Sequence, residues 1–384
     1  MTNVSIIGFG QTEVRENWET SIRHLAWYAI EAALDNAHTS SIDALYVGNM
    51  LAGSIGNQTH LGALIADFAG LRGVEAVTVE AAEASGAAAL RQAILAVESG
   101  LVETALVVGV EKMTDETGSA LVGATATGMD ADYEAIHGAT PAAMAALMMQ
   151  RYMHENGLTV DNFAGFSVNA HGNGSLNPKA MFRNRLRADR FAAAPMVATP
   201  VSLFDMAPGG DGAAALILTK HERAVDMVPQ PVRILGSAIA TDTLAVHDRK
   251  EILWLPAAEK SAKEAMAQAG VTTDDIDLFE LHDAYTIMAA LSLEAAGFAA
   301  KGEGWRLAQD GEIGLTSRIP ISTFGGLKAR GFPAGATGVY QVVEAALQLR
   351  GQADDNQVAD AKIAMTQNLG GTGATAVTHV LGLE

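Results

Sequence analysis

Four short stretches carry the groups that could do chemistry. Glu83 interrupts the small-residue run Ala81-Ala82-Glu83-Ala84-Ser85-Gly86, and His282 and Tyr285 fall in His282-Asp283-Ala284-Tyr285. Two glycine-rich stretches follow, one from Gly325 to Gly338 and the other Asn368-Leu369-Gly370-Gly371-Thr372-Gly373. A carboxylate, an imidazole and a phenol are proton-transfer groups, and backbone N–H groups among glycines can hold a developing oxyanion. Core packing alone does not require polar residues set among glycines in this way. The chain contains no cysteine, which removes disulfides, thiolate metal sites and every cysteine nucleophile at once.

The elements that must position these groups alternate between strand and helix. The N-terminal Thr2 to Gly10 reads as a strand, apolar residues from Ser21 to Asn36 recur at helical spacing, and Ile42 to Val47 is a β-branched run. Ala76 to Val79 leads into the Glu83 stretch, and a long helix from Ala87 to Ser99 follows, closed by Gly100. Glu83 is therefore expected at a helix N-terminus, where the dipole favours the charged carboxylate. Ala105 to Val110 reads as a buried central strand.

From about 112 to 200 the pattern changes to a Met-rich helix, Ala142 to Tyr152, with scattered Asn and Gly and a basic stretch comprising Lys179, Arg183, Arg185, Arg187 and Arg190. An inserted cap is expected there. In an acidic chain the basic stretch invites an anionic ligand, or else is a solvated surface. Strand returns at Ala213 to Thr219, and Pro229-Gln230-Pro231 marks a boundary before a second half that opens at Val232. Further on, 261–270 is expected as helix, 276–281 as strand, 284–296 and 335–349 as helices and 362–366 as strand. Gly86 and Gly335 each open a helix with a Gln six positions on and an apolar strand after it. The two halves thus suggest a duplication, with helix N-termini from both meeting at a shared seam.

The 384 residues suffice for two or three domain-sized units. Aromatic residues make up 5% against 49% hydrophobic residues and 39 glycines, so the core must be built from small, closely packed elements in an α/β arrangement. A net charge of −19 repels phosphate backbones and argues against nucleic acid as a partner. The N-terminus has no basic-then-apolar leader, and no apolar run is long enough to span a bilayer. A cytoplasmic protein with no membrane segment is expected. The histidines lack ligand spacing, so no metal is expected.

Taken in order, the four stretches resemble the thiolase superfamily over essentially the whole chain. Gly109-Val110-Glu111-Lys112-Met113, Asn177-Pro178-Lys179-Ala180 and Asp211-Gly212-Ala213-Ala214-Ala215 add to the match, and His282-Asp283 with the short loops looks like the archaeal and sterol-carrier type. The resemblance implies an α/β thiolase-like fold: two duplicated halves in five αβαβα layers with an inserted cap, divided at 1–228 and 229–384. It also implies coenzyme A thioester as substrate with no covalently bound cofactor, a homodimer or dimer of dimers, and a small zinc-ribbon and OB-fold partner protein.

Three positions depart from the family at once. Glu83 stands where thiolases place the nucleophilic Cys, Phe332 where the Gly-His-Pro motif supplies its His, and Asn368 where many members have a second Cys. Acyl transfer through a thioester needs a thiolate and a base to make it. Glu83 cannot form that thioester, and Phe332 cannot move a proton. The resemblance assigns His282 as oxyanion donor, the backbone N–H groups of Glu83 and Gly370 as a second oxyanion site, and Tyr285 as a possible acid. It places His137, Phe332 and Asn368 on the acyl group, Lys179 and Arg183 on coenzyme A, and His60 near a dimer interface. Three readings stay open: carbon–carbon cleavage without an acyl-enzyme, retro-aldol or decarboxylative, with Glu83 as base; a non-catalytic subunit partnering an active paralogue; and acyl transfer through Glu83 or Ser85. The duller alternatives are a buried Glu83 paired with His282, and a Tyr285 that only packs.

Overall fold

The computed structural model describes residues 2–383. The first half runs β1 (Val4–Gln11), α1 (Ile22–Ala37), β2 (Ala44–Gly48), α2 (Leu61–Phe68), β3 (Glu75–Val79), α3 (Ser85–Ser99) and β4 (Thr104–Glu111). The cap follows as α4 (Gly118–Thr125), α5 (Pro141–Asn156), α6 (Ala164–Gly174), α7 (Ala188–Ala192) and the hairpin β5 (Met196–Ala198) and β6 (Val201–Ser202). The chain returns to the sheet through β7 (Gly212–Lys220) and α8 (His221–Met227). Then come β8 (Val232–Thr241), α9 (Pro256–Ala269), β9 (Leu278–Glu280), α10 (Thr286–Ala295), α11 (Gly304–Gln309), α12 (Gly326–Ala329), α13 (Thr337–Leu349), β10 (Ile363–Gly370) and β11 (Thr375–Gly382).

Nine of these strands form one sheet in the order β3-β2-β4-β7-β1-β8-β11-β10-β9. The order mirrors itself about the β1–β8 junction. From β1 outward, β7 and then β4 join antiparallel and β2 joins β4 in parallel; from β8 outward, β11 and then β10 join antiparallel and β9 joins β10 in parallel. Only Ser5 and Ile6 of β1 pair across the junction, with Arg233 and Val232. The sheet therefore bends there into two halves that face each other.

The space between the halves is filled by α3 and α13, whose Leu90, Ile94, Val339 and Val343 share one core with both sheets. Helices α1 and α2 cover the outer face of the first half, and α9 and α10 that of the second. The result is the five-layered α/β arrangement expected. Strand β4 shows why its sequence is continuously apolar: Ala105 and Val107 face the central helices while Leu106, Val108 and Val110 face α1 and α2. The small-residue composition has its reason at the crossing of the central helices. A Cβ on Gly86 would meet the Gly335 carbonyl at 2.8 Å, and one on Gly338 would meet the Ala87 nitrogen at 2.5 Å. The two helix N-termini thus meet at one seam, and the reactive stretches lie around it.

The Met-rich helix of the cap is α5. Thr140 caps it by accepting from the Ala143 N–H at 3.1 Å, Pro141 opens it, and Met144, Met148, Met149 and Tyr152 form its buried face. Strand β11 and helix α6 were not expected from the sequence. Residues 375–382 alternate too weakly to stand out, because both faces of β11 are covered. Among the described residues, no helix is long and apolar enough to cross a membrane.

Candidate active site

Glu83 sits on a tight turn between β3 and α3. Ala82 adopts φ 51°, a left-handed conformation costing about 1 kcal/mol for a residue with a Cβ. The Ser85 hydroxyl holds the turn closed, accepting from the Ala81 N–H at 2.9 Å and donating to the Ala82 carbonyl at 2.5 Å. Ser85 is fully buried in that role and does not line the cavity, which corrects its candidacy as a nucleophile.

The turn aims the Glu83 side chain at the β10–β11 connection, where its Oε2 accepts the N–H of Gly371 at 2.6 Å. Gly371 has φ 57°, and a Cβ there would lie 2.6 Å from the Gly128 carbonyl, so the donor must be glycine. Gly370, whose N–H was expected at an oxyanion site, is the last residue of β10, paired with Thr375. The sequence marked the glycine stretch but could not say which N–H the turn would present. Burial pushes the Glu83 carboxyl up from its ordinary range; its own N–H and that of Gly371 pull it back, and Glu80 adds to the rise. At this buried N-terminus desolvation opposes the helix dipole that the sequence pointed to. The recorded partner of Glu83 is Gly371, not His282.

His282 lies two residues beyond the end of β9 and is buried. Its Nδ1 lies 2.9 Å from Nδ2 of Asn368 on the neighbouring β10. Burial, and then the charge of Arg330, push the imidazole down to about 3. The ring is therefore neutral, and with the Asn368 amide donating to Nδ1 the ring proton sits on Nε2. Asn368 does not line the cavity; it acts on His282 rather than on an acyl group, a correction to its expected role. Asp283 accepts the Leu327 N–H at 2.7 Å and the Ser322 hydroxyl at 3.1 Å, fixing the approach to α12. Beyond it, Arg330 pairs with Glu344 at 2.9 Å and lies over the Tyr340 ring.

Phe332 presents its ring edge-on to His282, with centroids 5.6 Å apart and planes at 87°. The segment that closes the site from the cap side was not singled out in the sequence. Ala207 donates to the Ala284 carbonyl at 2.8 Å, Phe332 donates to the Pro208 carbonyl at 3.0 Å, and Asp205 accepts from the Thr286 hydroxyl at 2.5 Å. Residues 205–210 thus tie Tyr285 and Phe332 into one wall.

Glu83, His282, Tyr285 and Phe332 line a single cavity of about 280 Å³. Burial and the Glu83 charge push the Tyr285 phenol up, so it is a protonated donor at neutral pH. Met113, Met129, Met148, Met206 and Met288 supply much of the remaining wall. His282 and Tyr285 thus share the cavity wall with Phe332 and these methionines.

Three expected binding residues lie elsewhere. His137 is exposed on the turn before α5, although Thr140 and Pro141 just after it do line the cavity. Arg183 is exposed, and the exposed Lys179 donates to the Gln11 carbonyl at 3.1 Å. Within the same basic stretch Arg187 pairs with Asp189 at 2.9 Å, so the cluster does not converge on one point. Among the described residues, no group of three or more His, Asp or Glu side chains is placed to hold a metal.

Comparison with known proteins places these features in context. The model of the thiolase N-terminal domain matches residues 4–188, and the thiolase C-terminal domain-like model matches residues 238–383. The chain is 43% identical over 382 residues to an acetyl-CoA acetyltransferase of Methanothermobacter thermautotrophicus, covering 99% of each. It is 27% identical to sterol carrier protein 2 of Bos taurus, covering 98% of this chain and 71% of that protein. A solved chain of the Ltp2-ChsH2(DUF35) aldolase superposes with a TM-score of 0.88 at 25% identity, covering 99% of this chain and 98% of that one.

Proposed function

The chain belongs to the thiolase family, and from that premise we propose that it is an enzyme acting on acyl-CoA thioesters that cleaves or forms a carbon–carbon bond without an acyl-enzyme. The reaction is retro-aldol or decarboxylative rather than thiolytic. The observation that carries this reading is the pairing, in one cavity, of a carboxyl raised by burial with a neutral imidazole whose Nε2–H is free to donate.

In the retro-aldol direction Glu83 takes the proton from a 3-hydroxyl, the C2–C3 bond breaks, and its electron pair moves to C2. The thioester oxygen then carries enolate charge, which the Nε2–H of His282 stabilises. C3 leaves as a carbonyl, and Tyr285 or the protonated Glu83 returns a proton to C2. A carboxyl raised towards neutrality is matched to both halves of that proton exchange. The aldolase among the similar structures supports this direction. That aldolase joins two proteins by name, which supports a small partner protein for this chain as well. We take the enzyme to be cytoplasmic and to assemble as a homodimer or dimer of dimers. Product analysis of a 3-hydroxyacyl-CoA incubated with wild type and with Glu83→Gln tests the reading: loss of the shorter acyl-CoA in the variant supports it, and equal product in both contradicts it.

A further inference from the structure

Among the described residues, the Glu83 carboxyl is the one acid of the cavity wall, beside the His282 imidazole and the Tyr285 phenol. Among the described residues, no Lys or Arg lines the cavity. The nearby cations stand behind the wall, each held by partners of its own. Arg330 is bound to Glu344 at 2.9 Å, and Lys328 donates to the Leu203 and Met206 carbonyls at 3.1 and 2.6 Å. Arg249 approaches the wall from behind Thr372, but its three nitrogens go to the Thr243 carbonyl and to the carbonyl and hydroxyl of Thr372. The wall facing the acyl group is mostly apolar and includes five methionines, a flexible lining suited to irregular apolar groups.

We propose that the acyl group accepted here is uncharged and apolar beyond C3, and that carboxylated acyl thioesters are excluded. This rests on the carbon–carbon reading above and decides between its two branches. A substrate that loses carbon dioxide must bring a carboxylate into the cavity, where it would meet the Glu83 carboxyl and no Lys or Arg of the wall. A 3-hydroxyacyl group with an apolar substituent brings no charge until the C2–C3 bond breaks, and that charge forms on the thioester oxygen facing His282. Since a cavity of roughly 150 Å³ holds a benzene ring, the 280 Å³ here accepts an aryl or branched group at C3.

A matched set of thioesters tests this. Binding is measured calorimetrically with 3-phenylpropionyl-CoA and 3-(4-carboxyphenyl)propionyl-CoA, which lack the 3-hydroxyl and cannot react. Turnover is measured with their 3-hydroxy counterparts and, for carbon dioxide release, with malonyl-CoA. The phenyl compound is expected to bind at least about 100-fold more tightly than its carboxylated analogue. Its 3-hydroxy form is expected to yield benzaldehyde and acetyl-CoA, with no carbon dioxide from malonyl-CoA. Val197→Arg places a cation on a wall residue that is 45% exposed and so tolerates a long polar side chain. It should narrow the binding ratio at least about ten-fold. Equal binding of the pair, or carbon dioxide release from malonyl-CoA, overturns the proposal. Selective binding with no cleavage of any hydroxyacyl compound leaves the charge selectivity standing and removes the carbon–carbon reading instead.

Discussion

Nδ2 of Asn368 lies 2.9 Å from Nδ1 of His282, so the amide and the ring share one proton-donor relationship. A neutral ring that accepts at Nδ1 must donate at Nε2, so His282 serves as an oxyanion donor and not as a base.

Asn368→Leu should free the ring to adopt the other tautomer and lower kcat by about 10- to 100-fold with a smaller change in KM. Nitrogen-15 spectra of the imidazole should show the Nε2–H tautomer in wild type and a mixture in the variant. Because His282 is held down at about 3, no limb of the pH–rate profile between pH 5 and 9 should belong to it. A single tautomer in both proteins would remove the positioning role.

Glu83→Gln should reduce turnover by about 10²- to 10⁴-fold, the usual span for a general base, while leaving thioester binding within a few-fold. The wild-type rate should fall with acidity through a pKa above the ordinary carboxylate range, because burial raises it and only the ionised form accepts the substrate proton. That limb should vanish from the residual activity of Glu83→Gln.

Restoring one departed family residue should not restore thiolysis. Glu83→Cys alone leaves Phe332 where a proton-transfer group would be needed, so 3-ketoacyl-CoA cleavage by free coenzyme A should stay at background. The double variant Glu83→Cys with Phe332→His should be the first to show any, since groups that act as a unit are lost and regained together. Thiolysis by the single Glu83→Cys variant would show that Phe332 is not the obstacle.

Glu111 couples the halves: its carboxylate accepts the N–H groups of Met50 and Leu51 from one half and of Gly335 from the other, with Asn49 Nδ2 at 2.7 Å. Burial pushes it up to about 7. A folded pKa above the unfolded value of 4.5 means that the folded state holds the extra proton between those values. This contribution to stability is therefore full below about 4.5 and is lost as pH rises through about 7, by about 3 kcal/mol at most. Glu111→Gln should destabilise by about 1–3 kcal/mol from a mismatched amide, and the cost should be larger at pH 5 than at pH 8. A pH-independent difference in denaturant unfolding would contradict this.

The buried Arg330–Glu344 pair, at 2.9 Å, should cost about 3 kcal/mol or more when broken on one side by Arg330→Met. Arg330→Met with Glu344→Leu should recover most of it. A double variant no more stable than the single one would show that packing against Tyr340, not charge, is what Arg330 contributes.

Much of this was legible in the sequence, for identifiable reasons. Glu83, His282, Tyr285 and Phe332 stand out as polar or bulky residues among glycines and alanines, and they do converge on one cavity. Gly86 and the Gly335–Gly338 stretch mark the helix crossing because close backbone approach leaves no room for a Cβ. What stayed hidden depends on three-dimensional closure. The Gly371 N–H that meets the Glu83 carboxyl is presented by a turn, and the 205–210 wall is recruited by backbone hydrogen bonds that leave no side-chain signature. The upward push on the Glu83 carboxyl stayed hidden as well, because burial, which opposes the helix dipole, is a property of the fold rather than of the spacing.

The central claim is cleavage without an acyl-enzyme, and dependence on free coenzyme A tests it most directly. Product formation from 3-hydroxy-3-phenylpropionyl-CoA would be followed with and without added coenzyme A, with intact-protein mass measured in the same reactions. The account predicts acetyl-CoA and benzaldehyde at the same rate in both, loss of that rate in Glu83→Gln, and no mass added to the protein. A strict requirement for free coenzyme A, or an acyl mass trapped on Glu83, would contradict it.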